Sequence, residues 1–382
     1  MNILHLGKYF PPEPGGMEVV LKNFSEATSG RLANYCLVAS RGGGTRVERV
    51  GDITVHYLKE RGTFLLTPVL PSLPWVIHRL RRRNDFSALM LHYPNPTAIL
   101  ALFLSLVILP RKEKIVVWHH ADVILDERWK RALYAFLRPI EEFVFRRTDA
   151  FVAATPNHVS QSATFGRFGD RTAIIPYAVP DGWFDATPEE FLAAKAVREK
   201  MGGRFLLFVG RLVPYKGLGT VVRAARGIDG RFAIVGSGPL ESDLKREIAE
   251  SGLTDKIRLL GKVEDLRPYY LGCEYFVLPS VSPLEGFGIV QIEAMALGKP
   301  VVSSDLPTGV TYVNRDGETG LTFPAGDAEA FAAACNRLLA DEELRLRLGE
   351  TARRRALEKF SYSAMAAEAV DFFRRICGNA VR

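Results

Sequence analysis

Short apolar runs alternate with longer amphipathic stretches along most of this chain. In the first half, runs at 1–7, 35–40, 53–58, 87–92, 115–118, 150–155 and 173–176 read as strands. Runs at 205–209, 232–236, 257–260, 275–279 and 301–304 repeat the pattern in the second half. Helical spacing begins near Met17 and covers 98–109, read as a buried helix too short to span a bilayer. It returns at 157–165, in the basic stretch RWKRALYAFLRPIEEFVFRR and from Ile289 to Leu297. Continuous apolar strands alternating with helices predict parallel sheets covered on both faces, an α/β fold. After a Pro-, Gly- and charge-rich stretch the pattern restarts at RFLLFVG. A chain of 382 residues is long for one domain. The expected division is 1–180, a linker at 181–203, 204–360, and a tail 361–382 holding a last helix near 362–377.

Composition narrows this picture. A 47% hydrophobic content is globular. Cys36, Cys273, Cys335 and Cys377 lack C-x-x-C spacing and read as buried thiols of a reducing compartment. The start MNILHLGKYF has no basic leader before a long apolar run, so a cytoplasmic chain is expected. The net charge of +7 is uneven: residues 1–180 carry 23 Lys and Arg against 15 Asp and Glu, the rest 27 against 28. No nucleic-acid-binding pattern accompanies the basic half, so no nucleic-acid partner is expected. An anionic membrane surface or a diphosphate-bearing acceptor fits it better, and a plain basic surface is the alternative. The stretch GTFLLTPVLPSLPWVIHRLRRR joins Phe64, Leu65, Leu66, Trp75, Val76 and Ile77 to Arg79, Arg81, Arg82 and Arg83. That mixture suits a membrane interface, or equally a core helix with a solvated basic end.

Five segments carry candidate chemistry. Pro11, Pro12 and Pro14 precede Gly15-Gly16, which opens the first helix. A strand, a glycine turn and a helix start form a phosphate cradle, or a structural turn. His119-His120 ends the strand at 115–118, where open α/β sheets place ligands. Gly210-Arg211 and Lys216-Gly217 bracket a strand-to-helix loop whose two cations can neutralise a leaving diphosphate. Gly236-Ser237-Gly238-Pro239 is a weak dinucleotide match, with Glu241 in place of a third glycine. In EGFGIVQIEAMALGKP, Glu285 and Glu293 lie eight residues apart across Gly286-Phe287-Gly288 and a helix beginning at Ile289. The helix start exposes backbone N–H groups suited to a phosphate or a sugar hydroxyl.

That segment, with G-R-x4-K-G, G-x-G-P and the strand-ending histidine, resembles family 4 of the retaining glycosyltransferases, and the resemblance runs the length of the chain. It implies the GT-B fold, two Rossmann-like domains facing each other across a cleft, with the last helix returning to the first domain. It implies roles for residues: Glu285 on the donor sugar, Glu293 on the nucleotide ribose, Arg211 and Lys216 on the diphosphate, Val263 near the base. His120, followed by Ala121-Asp122, takes the donor-sugar histidine's place, with His119 as rival. The Gly15-Gly16 loop and the 286–289 turn are expected near the donor. Where the family shows I-P-N-G, this chain has Ile175-Pro176-Tyr177-Ala178. No two aspartates stand two apart, so no D-x-D metal clamp exists and no metal cofactor is expected. The closest resemblance is to exopolysaccharide and O-antigen mannosyltransferases. It implies GDP-mannose as donor, a polyprenyl-diphosphate-linked saccharide as acceptor, and a peripheral position at the inner face of the cell membrane. The alternatives are a UDP-sugar enzyme of the same family, a UDP-N-acetylglucosamine 2-epimerase, and a non-catalytic nucleotide- or membrane-binding module.

Overall fold

The computed structural model describes residues 1–13, 15–64, 67–123 and 127–378. Pro14 and, in the apolar–basic stretch, Leu65 and Leu66 lie outside the described residues. The chain divides into two units, the first formed by 1–154, 159–177 and the segment from Tyr362. The second comprises Thr155–His158 and Ala178–Ser361.

In the first unit, the strands are β1 (Asn2–Leu6), β2 (Ala33–Ser40), β3 (Arg46–Val50) and β4 (Ile53–Lys59). A separate two-stranded antiparallel sheet of β5 (Thr63–Phe64) and β6 (Thr67–Pro68) follows. Then come β7 (Ala88–Tyr93), β8 (Lys114–His119), β9 (Ala150–Ala153) and β10 (Thr172–Ile174). They form one sheet in the order β10-β9-β8-β7-β1-β2-β4-β3, parallel except at β3–β4. Strand β7, ALMLHY, is buried throughout, as a central parallel strand must be. The chain leaves β1 towards β2 and later returns to β1's other side as β7. The switch point, where such sheets bind ligands, therefore lies between β1 and β7.

The apolar pattern missed β3 because RVERV is almost wholly exposed. An antiparallel edge strand needs no buried run. The helix Pro96–Ile108 corrects the expectation of a buried helix at 98–109. It buries Ala98, Ile99, Ala101, Leu102 and Ser105, while Leu100, Val107 and Ile108 face outward. One side packs against the helices Leu73–Arg83 and Arg128–Arg147, and the uniformly apolar sequence leaves the other side bare. The expected helix at 157–165 is two short pieces, Pro156–Gln161 and Phe165–Phe168. The terminal helix Tyr362–Cys377 lies in the first unit against the helix Gly16–Ala27, where the Tyr362 hydroxyl donates to Glu26 (3.2 Å).

The second unit contains β11 (Phe205–Val209), β12 (Arg231–Val235), β13 (Ile257–Gly261), β14 (Phe276–Leu278), β15 (Val301–Ser304) and β16 (Gly320–Phe323). Their order is β13-β12-β11-β14-β15-β16, all parallel, which puts this switch point between β11 and β14. The stretch 181–203 carries the helix Pro188–Lys200, started by a Thr187–Glu190 capping box and docked on the helix Arg267–Gly272. Arg267 donates to Glu190 at 2.5 Å across that contact.

Candidate functional site

In the second unit, the loops leaving β11 and β14 meet at the switch point. Lys216 and Glu285 are both nearly buried, and Lys216 Nζ donates to Glu285 Oε2 at 2.5 Å. The Ser280 hydroxyl donates to the same oxygen at 2.8 Å. A buried pair persists only when hydrogen bonds offset its desolvation, and Ser280 supplies one. Gly217, at φ 67°, lets the Lys216 loop press on the next: a Cβ there would sit 2.0 Å from the Pro279 carbonyl oxygen. Val281 N donates to the Tyr215 carbonyl at 2.8 Å and completes the clasp.

The turn after Glu285 is fixed from beyond β15. The Thr308 hydroxyl donates to the Glu285 carbonyl and Gly309 N to the Gly286 carbonyl, each at 2.8 Å. Phe287 is a buried anchor beside Phe360 (6.0 Å between rings), and Gly286 is exposed. Gly288, at φ 70°, caps the helix Ile289–Ala296 in the left-handed conformation that glycine favours. Ile289, partly buried, is that helix's first residue. The helix start and the Lys216 cation together attract an anion.

Glu293, within this helix, receives the Tyr270 hydroxyl at 2.6 Å. Burial raises its pKa, and the Tyr270 hydrogen bond pulls the other way. Arg211 is exposed, and Val263 is partly buried just past β13. The G-x-G-P loop serves packing: a Cβ on Gly236 would lie 1.9 Å from the Gly210 carbonyl oxygen, and one on Gly238 2.4 Å from that of Leu212. These glycines let the β12 turn lie directly under the Arg211 loop. The sequence motif was visible, but its part in holding Arg211's backbone was not.

The first unit offers a different arrangement. Gly15 and Gly16 are exposed at the start of the helix Gly16–Ala27. The Glu18 carboxyl folds back beneath Gly15, where a Cβ would meet its oxygen at 1.9 Å, and burial raises its pKa. His119 and His120 point to opposite faces of the sheet. His119 is fully buried, stacked on Tyr93 (4.8 Å) and 3.3 Å from Asp122. His120 is partly exposed and stacks on Trp118 (5.4 Å) and His92 (5.2 Å). Its Nε2 lies 3.0 Å from His92 Nδ1 and its Nδ1 2.7 Å from the Tyr177 hydroxyl. His92 Nε2 is 3.2 Å from His5 Nδ1, and His5 Nε2 is 3.0 Å from Asn34 Oδ1. Sequence reasoning missed His5 and His92, since single histidines inside apolar strands carry no local signal. Tyr177 was noted only as a departure from the family pattern.

Of the basic cluster at 79–83, Arg81 is structural: it is buried and forks onto Glu113 (2.8 and 3.0 Å). Arg79, Arg82 and Arg83 are exposed near Trp75, which is 75% exposed, while Ile77 is buried. Among the described residues no helix is long and apolar enough to cross a membrane. Among them too, no group of three or more His, Cys, Asp or Glu side chains is placed to hold a metal ion.

Family profiles match both units: one described as glycosyl transferases group 1 over residues 191–355, and one described as glycosyl transferase 4-like domain over 15–178. The chain is 30% identical over 379 residues to O-antigen chain mannosyltransferase C of Escherichia coli, covering 98% of each chain. It is 31% identical to the D-rhamnosyltransferase WbpZ of Pseudomonas aeruginosa, covering 94% of this chain and 92% of that one. Among solved structures, HepE of Anabaena in complex with UDP superimposes with a TM-score of 0.77 at 18% identity, covering 98% of this chain and 100% of that one.

Proposed function

The chain belongs to the group 1 glycosyltransferases of the GT-B fold, and from that premise we propose that it moves a mannosyl group from GDP-mannose to a polyprenyl-diphosphate-linked saccharide in cell-surface polysaccharide synthesis. One observation carries the reading: a buried Lys216–Glu285 pair at the β11/β14 switch point, beside a helix start that Gly288 opens. Lys216, with Arg211 and the helix N–H groups, meets the donor diphosphate and stabilises it as it leaves. Once the phosphates share Lys216, Glu285 is released to orient sugar hydroxyls. Glu293 takes the ribose, Val263 lies by the base, and His120 contacts the donor sugar. The Gly15-Gly16 loop and the 286–289 turn lie near the donor. Transfer proceeds with retention, by same-face displacement assisted by the leaving phosphate. These cations do the work that a metal does elsewhere, so no metal cofactor is invoked. The mannose assignment leans on the relative from Escherichia coli, whose name states that sugar.

We further propose peripheral binding of the first unit to the anionic inner face of the cell membrane. Exposed Trp75, Val107, Ile108, Trp129 and Phe136 alternate with Arg79, Arg82, Arg83, Arg128, Arg131 and Arg138 there.

A melting-temperature panel of GDP, UDP, ADP and their sugars tests the donor. The reading expects stabilisation by GDP and GDP-mannose. A shift with UDP and none with GDP would replace mannose transfer from GDP-mannose with a UDP-sugar reaction. Epimerised product from a UDP-sugar without acceptor would instead identify an isomerase.

A further inference from the structure

Three histidines, an asparagine and a tyrosine form one hydrogen-bonded file through the middle of the first sheet. It crosses the switch point from β1 (His5) to β7 (His92), reaches His120 beyond β8 and ends at Tyr177. The direction of every bond can be worked out from the buried end. Asn34 Nδ2 donates to the Ser25 carbonyl (3.1 Å) and to the Thr28 hydroxyl (2.9 Å), whose own proton goes to the Phe24 carbonyl. Asn34 Oδ1 is therefore the atom facing His5, and it can only accept. His5 must carry its proton on Nε2. Burial keeps His5 and His92 neutral, with His5 lowered to about 4 and His92 well below the ordinary histidine value. The unprotonated His5 Nδ1 then accepts from His92 Nε2–H, and His92 Nδ1 accepts from His120 Nε2–H. His120 Nδ1, facing the Tyr177 hydroxyl, is then the acceptor at the outer end of the file.

We infer that His92 and His5, anchored by Asn34, are positioning residues that pin the His120 proton on Nε2, so that Nδ1 accepts a donor-sugar hydroxyl in exchange for that of Tyr177. This rests on the assignment of His120 to the donor sugar. The file fixes which ring nitrogen faces the ligand, as an outer partner does for an imidazole bound to a metal. Stacking of His120 on Trp118 and His92 fixes the plane of the ring.

Two measurements test it on the full chain. Nitrogen-15 NMR of histidine-labelled protein at pH 7.5 reads each ring's tautomer, with H5Q, H92Q and H120Q assigning the signals. His5 and His92 are expected neutral with the proton on Nε2, and His120 is expected to carry a proton on Nε2 and none on Nδ1. A His120 ring carrying a proton on Nδ1, a His92 ring protonated on Nδ1 alone, or a charged His5 or His92, overturns the inference. The second measurement is transfer kinetics of H92F and H92Q. Glutamine reproduces both bonds, accepting from His120 through its carbonyl oxygen and donating to His5 through its amide. Phenylalanine fills the space and makes neither. H92F is expected to lose about ten- to a hundredfold in kcat/KM, the usual loss for an outer partner, and H92Q to recover most of it. Equal rates for the two, with melting temperatures matched, overturn the positioning role. A wild type that transfers no sugar from any donor overturns the donor reading instead, and the tautomers still decide the file.

Discussion

Both sheets put their candidate chemistry at the same topological place and build it from opposite materials. Between β11 and β14 the second unit buries a charged pair, Lys216 and Glu285. Between β1 and β7 the first unit buries a neutral pair of imidazoles, His5 and His92. A diphosphate carries charge that a fixed cation must match, whereas a sugar presents hydroxyls that need only donors and acceptors of fixed direction. The contrast explains why the two switch points hold different buried polar groups. An ion pair is stable where a ligand will share its cation, and neutral rings avoid the desolvation cost that a charge would bring beside Trp118 and Phe24.

Removing the charge on one side sharpens that contrast most. K216A strands Glu285 in a nearly closed site and deletes the fixed cation. It is expected to cost about 3–5 kcal/mol of stability and about a hundred- to a thousandfold in kcat, read by urea unfolding and by initial rates. A smaller loss, about 1–3 kcal/mol, is expected of G288A. Its φ of 70° disfavours a side chain, and a Cβ would lie 2.8 Å from both Gln291 Nε2 and Leu278 Cδ2. Unchanged unfolding would show that the helix start is more pliant than the geometry implies.

The pH behaviour of Glu293 follows from its direction of shift. Its pKa in the fold lies above the ordinary 4.5, so the ionised form is the disfavoured one. The wild type is most stable, relative to E293Q, at and below about that value, and loses this advantage as the pH rises through the raised pKa. E293Q should therefore melt higher than the wild type at pH 7, with the difference shrinking as the pH falls towards 4.5. A difference that grows on acidification contradicts the burial argument. The smallest effect on folding is expected from R82E with R83E, since both residues are exposed. The double variant should unfold within about 0.5 kcal/mol of the wild type yet sediment less with phosphatidylserine vesicles. R81A should instead destabilise the chain, because Glu113 loses its buried partner.

Much of the fold is legible in the sequence. The apolar runs marked most strands, because parallel strands are buried on both faces and read as continuous. Arg211, Lys216, Glu285 and Glu293 stood out because glycine turns and helix starts leave local marks. What escaped was non-local. Strand β3 is polar because it is an edge, and the helix Pro96–Ile108 is apolar on a face that packing leaves open. Arg81 looked like its neighbours until Glu113, distant in sequence, was seen beside it. His5 and His92 are 87 residues apart, and only the strand order makes them a pair.

The account turns on the second unit's cation holding a diphosphate, and calorimetric titration tests that most directly. The nucleoside diphosphate that stabilises the chain most should be titrated, with its monophosphate, into the wild type and K216A. The account predicts that the diphosphate binds the wild type at least about tenfold more tightly than the monophosphate, the worth of one charge-assisted hydrogen bond. It predicts that K216A weakens this preference, with Arg211 and the helix start supplying what remains. Equal binding of the two nucleotides by the wild type, or an undiminished preference in K216A, would contradict it.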